Sequence, residues 1–266
     1  MKQFMLPVPP DKGGRVCLSG DDYHYLVNVR RLVPGDVFNA RLPSGEGVLV
    51  RVCSVEKGRL AGVCLPLPGE REAADLPGKA PVPPILLFQA LPKGSKMDLI
   101  VRQAAEGGVR EVVPFYSEFT LPRIGEGGEA KRERWQRIVK EALQQSNSPV
   151  STSVRTPGTK DALGRYWQNL REQHPQALGL LFHQDPLAKE TLHDYLSKEP
   201  ELVVLTVGPE GGFSPGEAAW FLALGFKPVV IGNTIFRVET AALYAAAAVR
   251  TILLERTSWI TRSPRL

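Results

Sequence analysis

Two charged residues, Arg237 and Glu239, flank Val238 immediately before an alanine-rich segment. A guanidinium can bind an anion or a carbonyl group, and a neighbouring carboxylate can accept a proton. The same carboxylate could instead pair with Arg237 or interact with the N-terminus of the helix that the alanines predict, and Thr240 could cap that helix. The pattern indicates a charged turn before a helix, and the role of Glu239 stays open.

A glycine-rich segment, residues 205–217, lies shortly before this charged turn. Gly208, Gly211 and Gly212 can adopt positive φ angles and allow another molecule to approach the main chain, while Pro209 stiffens the turn. The sequence contains neither GxxxxGK followed by Ser or Thr nor a GxGxxG fingerprint. An enzyme that binds ATP or NAD is therefore disfavoured.

The end of the glycine-rich segment carries a helix start signal. Ser214 and Glu217 have the spacing of a capping box, and Pro215 takes the first helical position. We therefore expect Glu217 to be structural rather than catalytic.

Strand and helix patterns alternate after residue 84, which predicts an α/β domain with a parallel sheet covered on both faces. Both segments follow short apolar runs, and open α/β sheets bind ligands at the carboxyl ends of their strands. The predicted strands are 85–91, 112–116, 178–182, 202–207 and 229–231, and the predicted helices are 95–106, 130–145, 187–197, 215–224 and 239–254.

The first part of the chain has a different pattern. Residues 1–72 alternate short apolar runs with turn dipeptides, which predicts a small β-barrel. Residues 73–84 are rich in proline and predict a linker. We therefore expect two domains, 1–72 and 85–266.

Composition limits the class of protein. The chain has 266 residues and a formal charge of +5, which favours an anionic partner only weakly. Its three cysteines are odd in number and lack CxxC spacing, so we expect neither a disulfide framework nor a metal site. No apolar run approaches 18 residues, so we expect no membrane span and a cytoplasmic location.

The two segments together, GPEGGFSPGE and IGNTIFRVETA, resemble the signature of the SPOUT class of RNA methyltransferases. Within that class the chain is most similar to the RsmE family, which methylates N3 of a uridine in 16S ribosomal RNA. The resemblance implies an N-terminal PUA-like β-barrel, a C-terminal SPOUT α/β domain with a deep trefoil knot, a homodimer, and the small ribosomal subunit as partner.

The resemblance also implies a cofactor, S-adenosylmethionine, and a set of site residues. Arg237 would act on the substrate, and Glu239 or Glu210 could take the proton. Arg30, Arg31 and Arg123 would bind RNA. The implied cofactor pocket consists of Leu205, Thr206, Val207, Gly208, Pro209, Glu210, Gly211, Gly212, Ile231, Gly232, Ile235, Phe236, Arg237, Val238 and Thr240, with Leu181, Phe182 and His183 closing it.

Two segments that resemble arginine-bearing motifs of the family lack the arginine here, residues 117–120 and 145–148. Loss of two cations would weaken contacts to RNA. Two alternatives therefore stay open: a catalytically impaired RNA-binding paralogue, and a methyltransferase that acts on a different RNA site.

Overall fold

The computed structural model describes residues 4–66, 82–120, 127–146, 148–184, 190–232 and 234–260, with the backbone alone for 256–260. The chain divides into two compact units, one of residues 1–77 and 143–151, the other of residues 78–142 and 152–266. Most of the expected linker lies outside the described residues. The boundaries 1–72, 73–84 and 85–266 therefore stay a prediction.

The first unit is a five-stranded sheet in the order β1-β3-β4-β5-β2, in which only β1 and β3 pair in parallel. Buried and exposed residues alternate along β2, as expected for a sheet with one covered face. Its strands are β1 (Phe4–Met5), β2 (Arg15–Ser19), β3 (Val37–Arg41), β4 (Gly47–Glu56) and β5 (Arg59–Pro66).

A short helical segment follows β2 and contributes Leu26 to the core of this unit. Helix α1 (Gly20–Tyr23) continues into a π-helical turn, His24–Val29, and Leu26 is fully buried. Arg30 follows the turn, with its guanidinium 5.6 Å from the centre of the Phe38 ring.

The second unit is built on a six-stranded sheet in the order β11-β9-β10-β6-β7-β8, in which all neighbouring strands are parallel. The central strands β6 and β10 are buried at every position, which is typical of a sheet covered on both faces. The strands are β6 (Ile85–Ala90), β7 (Glu111–Phe115), β8 (Ser153–Val154), β9 (Ala177–Phe182), β10 (Leu202–Val207) and β11 (Lys227–Val229).

Six helices accompany this sheet in the described part of the chain. They are α2 (Lys96–Glu106), α3 (Gly128–Ser146), α4 (Lys160–Gln173), α5 (Leu192–Leu196), α6 (Pro215–Ala223) and α7 (Val238–Ile260).

Opposite faces of the sheet are covered by different kinds of side chain. One face carries an aromatic core with Trp167 of α4, Phe221 of α6 and Phe226. On the other side, α7 contacts α2, β6 and β10, and its buried Ala242, Ala245 and Ala246 allow close approach of the helix. The small side chains of the last helix thus serve packing.

The last strand ends earlier than the sequence predicts. β11 pairs with β9 from Lys227 to Val229, and Val229 lies opposite Phe182. The predicted strand 229–231 is therefore wrong beyond its first residue. Ile231 leaves the sheet, and Gly232 follows with a φ angle of +62°. The chain therefore turns away from β9 at the sheet edge, where the second loop begins.

Among the described residues, no helix has the length and apolar character needed to cross a bilayer.

Candidate functional site

A cavity of about 860 Å³ opens at the carboxyl ends of β9, β10 and β11. Both segments singled out in the sequence line it. From the first come Val207, Gly208, Pro209, Glu210 and Gly212; from the second come Ile231, Gly232, Ile235, Phe236, Arg237 and Val238.

The remaining implied pocket residues lie beside the cleft. Leu205 and Thr206 are fully buried within β10. Gly211 packs against Phe119, and Thr240 is exposed in the first turn of α7. These four residues belong to the elements that hold the cleft and do not line it.

Gly208 is needed because the loop folds back on itself. The amide of Gly212 donates to the carbonyl of Pro209 at 2.9 Å. A Cβ atom on Gly208 would lie 3.1 Å from the carbonyl carbon of Gly212 and 3.2 Å from its Cα atom. Because both neighbours are main-chain atoms, a side chain at Gly208 would push the loop apart.

The capping box at the start of α6 is confirmed. Glu217 is 1% exposed and accepts from the amide of Ser214 at 3.1 Å, while its own amide donates to the Ser214 hydroxyl at 3.1 Å. Its other oxygen accepts from the amide of Glu118 at 2.9 Å. Glu217 therefore fixes the end of the first loop and the segment after β7.

Glu217→Ala is expected to lower the free energy of unfolding by about 2–3 kcal/mol, because it removes a cap and leaves buried amides without acceptors. Urea denaturation of the purified variant measures this loss. Glu172→Ala, on an exposed position of α4, is the control and should change stability by no more than about 0.5 kcal/mol. Equal stability of the two variants would contradict the structural role of Glu217.

The second loop supplies an apolar wall. Phe236 stacks on Tyr244 of α7 with ring centres 4.9 Å apart, and Ile235 is 80% exposed. Val229 and Ile231 line the same cavity. This wall offers a flat aromatic ring suitable for a weakly polar ligand.

Arg237 and Glu239 take different positions at the start of α7. Arg237 is exposed and lines the cleft, and its carbonyl accepts from the amide of Ala241 at 2.8 Å. Glu239 is half-buried and does not line the cleft; its Oε2 atom is buried without a hydrogen-bond partner in the described part of the chain. Among the described residues no ion pair joins the two side chains, so Arg237 is the better placed to meet a substrate.

Glu210 links the first loop to the start of α2. Its carboxylate accepts from Lys96 Nζ at 2.6 Å and from the amide of Lys93 at 3.1 Å. Burial raises the pKa of Glu210, but the hydrogen bonds from Lys96 and from main-chain amides outweigh burial, so the pKa lies below its usual value. A carboxylate with a lowered pKa is a poor base, which disfavours Glu210 as the proton acceptor.

The lowered pKa predicts how the stability contributed by Glu210 depends on pH. The ionised carboxylate stabilises the fold above the unfolded-state pKa of about 4.3, and this contribution is lost as pH falls through the lower folded-state pKa. Glu210→Gln should therefore cost about 1 kcal/mol or less near pH 7. The difference from wild type should shrink in acid, as measured by urea denaturation between pH 3 and pH 8. A difference that grows below pH 4 would contradict the ion pair.

Of the closing residues implied by the resemblance, Phe182 and His183 line the cleft, whereas Leu181 is fully buried in β9. The sequence missed the other residues that line it, which are Lys96, Gln184, Phe213, Val229, Val230, Thr234 and Ala241. Lys96 belongs to a different part of the sequence from both segments, so no local pattern could have associated it with them.

Of the implied RNA-binding residues, Arg30 and Arg31 do not line the cleft. Arg30 and Arg31 follow the π-helical turn of the first unit, and Arg31 is exposed with a φ angle of +58°. Arg123 lies outside the described residues. In the basic helix α3, Arg132 pairs with Glu129 and Arg134 with Asp98. Part of its positive charge is therefore neutralised within the protein.

Among the described residues, no cluster of three or more His, Cys, Asp or Glu side chains could hold a metal ion.

Comparison with known proteins places the chain in a family. A family model for an RNA methyltransferase domain matches residues 79–250. Ribosomal RNA small subunit methyltransferase E of Synechocystis sp. is 34% identical over 94% of this chain and 78% of its own length. The chain belongs to the ribosomal RNA small subunit methyltransferase E family.

Other members agree with this placement. The Bacillus subtilis protein of the same name is 27% identical over 87% of this chain and 88% of its own length. The crystal structure of the Neisseria gonorrhoeae methyltransferase E bound to S-adenosyl methionine superposes with a TM-score of 0.76, at 26% identity, over 95% of this chain and 98% of that chain. The fold class predicted from the sequence, a small barrel domain followed by a SPOUT α/β domain, is confirmed.

Proposed function

We propose that the protein transfers a methyl group from S-adenosylmethionine to N3 of a uridine in 16S ribosomal RNA of the small subunit. The observation that supports this proposal most strongly is that the glycine-rich loop and the loop before α7 line one cleft, with Arg237 on its wall. Its volume of about 860 Å³ lies within the range of pockets that hold molecules of cofactor size. Membership of the methyltransferase E family supports the same reaction.

The residues of the cleft fit the cofactor. An adenine requires an apolar slot with main-chain donors and acceptors at its edge, and the glycine turn at Gly208 and the wall of Ile231, Ile235 and Phe236 offer both. Because Gly208 has no Cβ atom, the loop can fold with Gly212 close to Gly208. When bound, S-adenosylmethionine supplies an electrophilic methyl group on sulfur.

Methylation of the uracil requires that N3 loses its proton and forms a bond to the methyl carbon. The imide N–H of uracil must lose its proton as N3 bonds to the methyl carbon and the carbon–sulfur bond breaks. Arg237 is suited to hold a uracil carbonyl and stabilise the negative charge that develops on the imide. Glu239 is the candidate proton acceptor. Because it does not line the cleft, the substrate would approach it from another side.

Three further features are proposed with this reaction. The barrel, through Arg30 and Arg31, would contribute phosphate contacts to RNA. The active form would be a homodimer, because the second loop and α7 expose large apolar side chains, Ile235, Leu243, Tyr244 and Leu254. The location would be the cytoplasm, where ribosomal RNA is available as substrate.

The experiment compares methylated nucleosides in 16S ribosomal RNA from wild-type cells and from cells that lack the gene. Mass spectrometry of the digested RNA should show that one 3-methyluridine disappears in the deletion and returns on complementation. If every methylated uridine persists in the deletion strain, the proposed substrate is wrong.

A further inference from the structure

Lys96 is a charged residue of the cleft that the proposed reaction does not use. It begins α2, and its side chain lines the cavity together with the two signature loops. That side chain is 38% exposed. Lys96 and Arg237 are the lysine and the arginine among the described residues that line the cleft.

The ion pair with Glu210 orients this lysine without saturating it. Lys96 Nζ lies 2.6 Å from Glu210 Oε1, and the same carboxylate also accepts from the amide of Lys93. An ammonium group has three donors, and Lys96 gives one of them to Glu210 Oε1. Glu210 therefore holds the lysine at the wall of the cleft. Among the described residues it is the hydrogen-bond acceptor of this ammonium group, so two donors remain for a ligand.

The two remaining donors of the Lys96 ammonium group are suited to an anionic ligand. Lysine is a compact point charge that binds phosphate oxygens, and the planar fork of Arg237 is already assigned to the uracil carbonyl in the proposed reaction. The substrate of the proposed reaction carries a phosphate on either side of the target nucleoside. A flipped or single-stranded nucleotide that enters a cleft brings these phosphates to its wall.

We propose that Lys96 is a positioning residue that binds a backbone phosphate of the RNA next to the nucleotide to be methylated. This inference rests on the proposed function. Lys96 would fix the position of the target nucleotide relative to Arg237, and Glu210 would keep Lys96 in place.

The test measures binding of a 16S ribosomal RNA fragment to the full-length protein as a function of salt concentration. Lys96→Gln should weaken binding about five- to tenfold near 0.1 M salt. It should also reduce the magnitude of the slope of log K against log salt by about one, which corresponds to the loss of one phosphate contact. Affinity for S-adenosylmethionine, measured by calorimetry, should stay within about twofold of wild type. Lys96→Arg should restore the slope, since it retains the charge.

A matched control separates this contact from a general loss of charge. Lys198 is also paired with a glutamate, Glu190, at 2.8 Å, and does not line the cleft. Lys198→Gln should leave the salt slope unchanged. Glu210→Gln should lower the slope less than Lys96→Gln does, because it keeps the cation but removes the group that holds it in position.

Two results would overturn the inference. One is a Lys96→Gln variant with the wild-type salt slope. The other is a Lys96→Gln variant that binds S-adenosylmethionine clearly more weakly than wild type, which would make the lysine a structural part of the loop. Failure of the proposed function would look different, because wild-type protein would then bind RNA without transferring a methyl group.

Discussion

Arg237→Ala is expected to lower kcat by about 10²- to 10³-fold and to leave affinity for S-adenosylmethionine within a few-fold of wild type. A preorganised donor aimed at developing negative charge contributes about this much to catalysis. The loop should keep its shape, because the residue contributes to the fold through its main-chain carbonyl, which accepts from Ala241. Single-turnover methylation and calorimetry measure the two quantities separately.

Two further variants sharpen the Arg237 experiment. Arg237→Lys keeps the charge and loses the planar fork, so it should recover only part of the activity. Arg165→Ala, on an exposed position of α4 away from the cleft, should turn over like wild type. An Arg237→Ala enzyme with wild-type kcat would remove this residue from the mechanism.

Gly208→Ala is expected to weaken binding of S-adenosylmethionine by at least about tenfold, since a displacement of the loop by a few tenths of an ångström misplaces several main-chain contacts at once. The added Cβ atom would lie 3.1 Å from a main-chain carbon of Gly212, and main chain cannot move aside as a flexible side chain can. Calorimetric titration of the folded variant measures the loss.

Gly216→Ala is the matched control for the loop. A Cβ atom there would lie 3.8 Å from the Ser214 hydroxyl, which is an ordinary contact, and the residue is exposed in the first turn of α6. Its cofactor affinity should equal that of wild type, and its stability should rise by about 0.5–1 kcal/mol. If the two alanine variants bind the cofactor equally well, the tight turn does not form the binding site.

The sequence predicts best what depends on local pattern. The capping box at Ser214 is found from spacing alone because both of its hydrogen bonds join residues three positions apart. The strand β10 is found at its true bounds because it is a short, continuous apolar run. The meeting of the two loops also follows from local rules, since both leave parallel strands at the same edge of one sheet.

What depends on tertiary contact is not visible in the sequence. The helix α4 is different: it is absent from the predicted elements although Leu163, Trp167 and Leu170 bury one face at helical spacing and Thr159 caps its start, which are local signals. Pairing of Lys96 with Glu210 joins residues that lie far apart in the chain, so only the folded sheet brings them together. The early end of β11 is likewise decided by pairing with β9 and not by residue type.

The most direct measurement is transfer of a labelled methyl group by the purified protein. Protein, methyl-labelled S-adenosylmethionine and small ribosomal subunits that lack the modification are incubated, and the RNA is digested to nucleosides. We predict label in 3-methyluridine from one position of 16S ribosomal RNA, and none with Arg237→Ala in the same time. Label in another nucleoside, or no transfer by a wild-type protein that binds the cofactor, would contradict the proposed reaction.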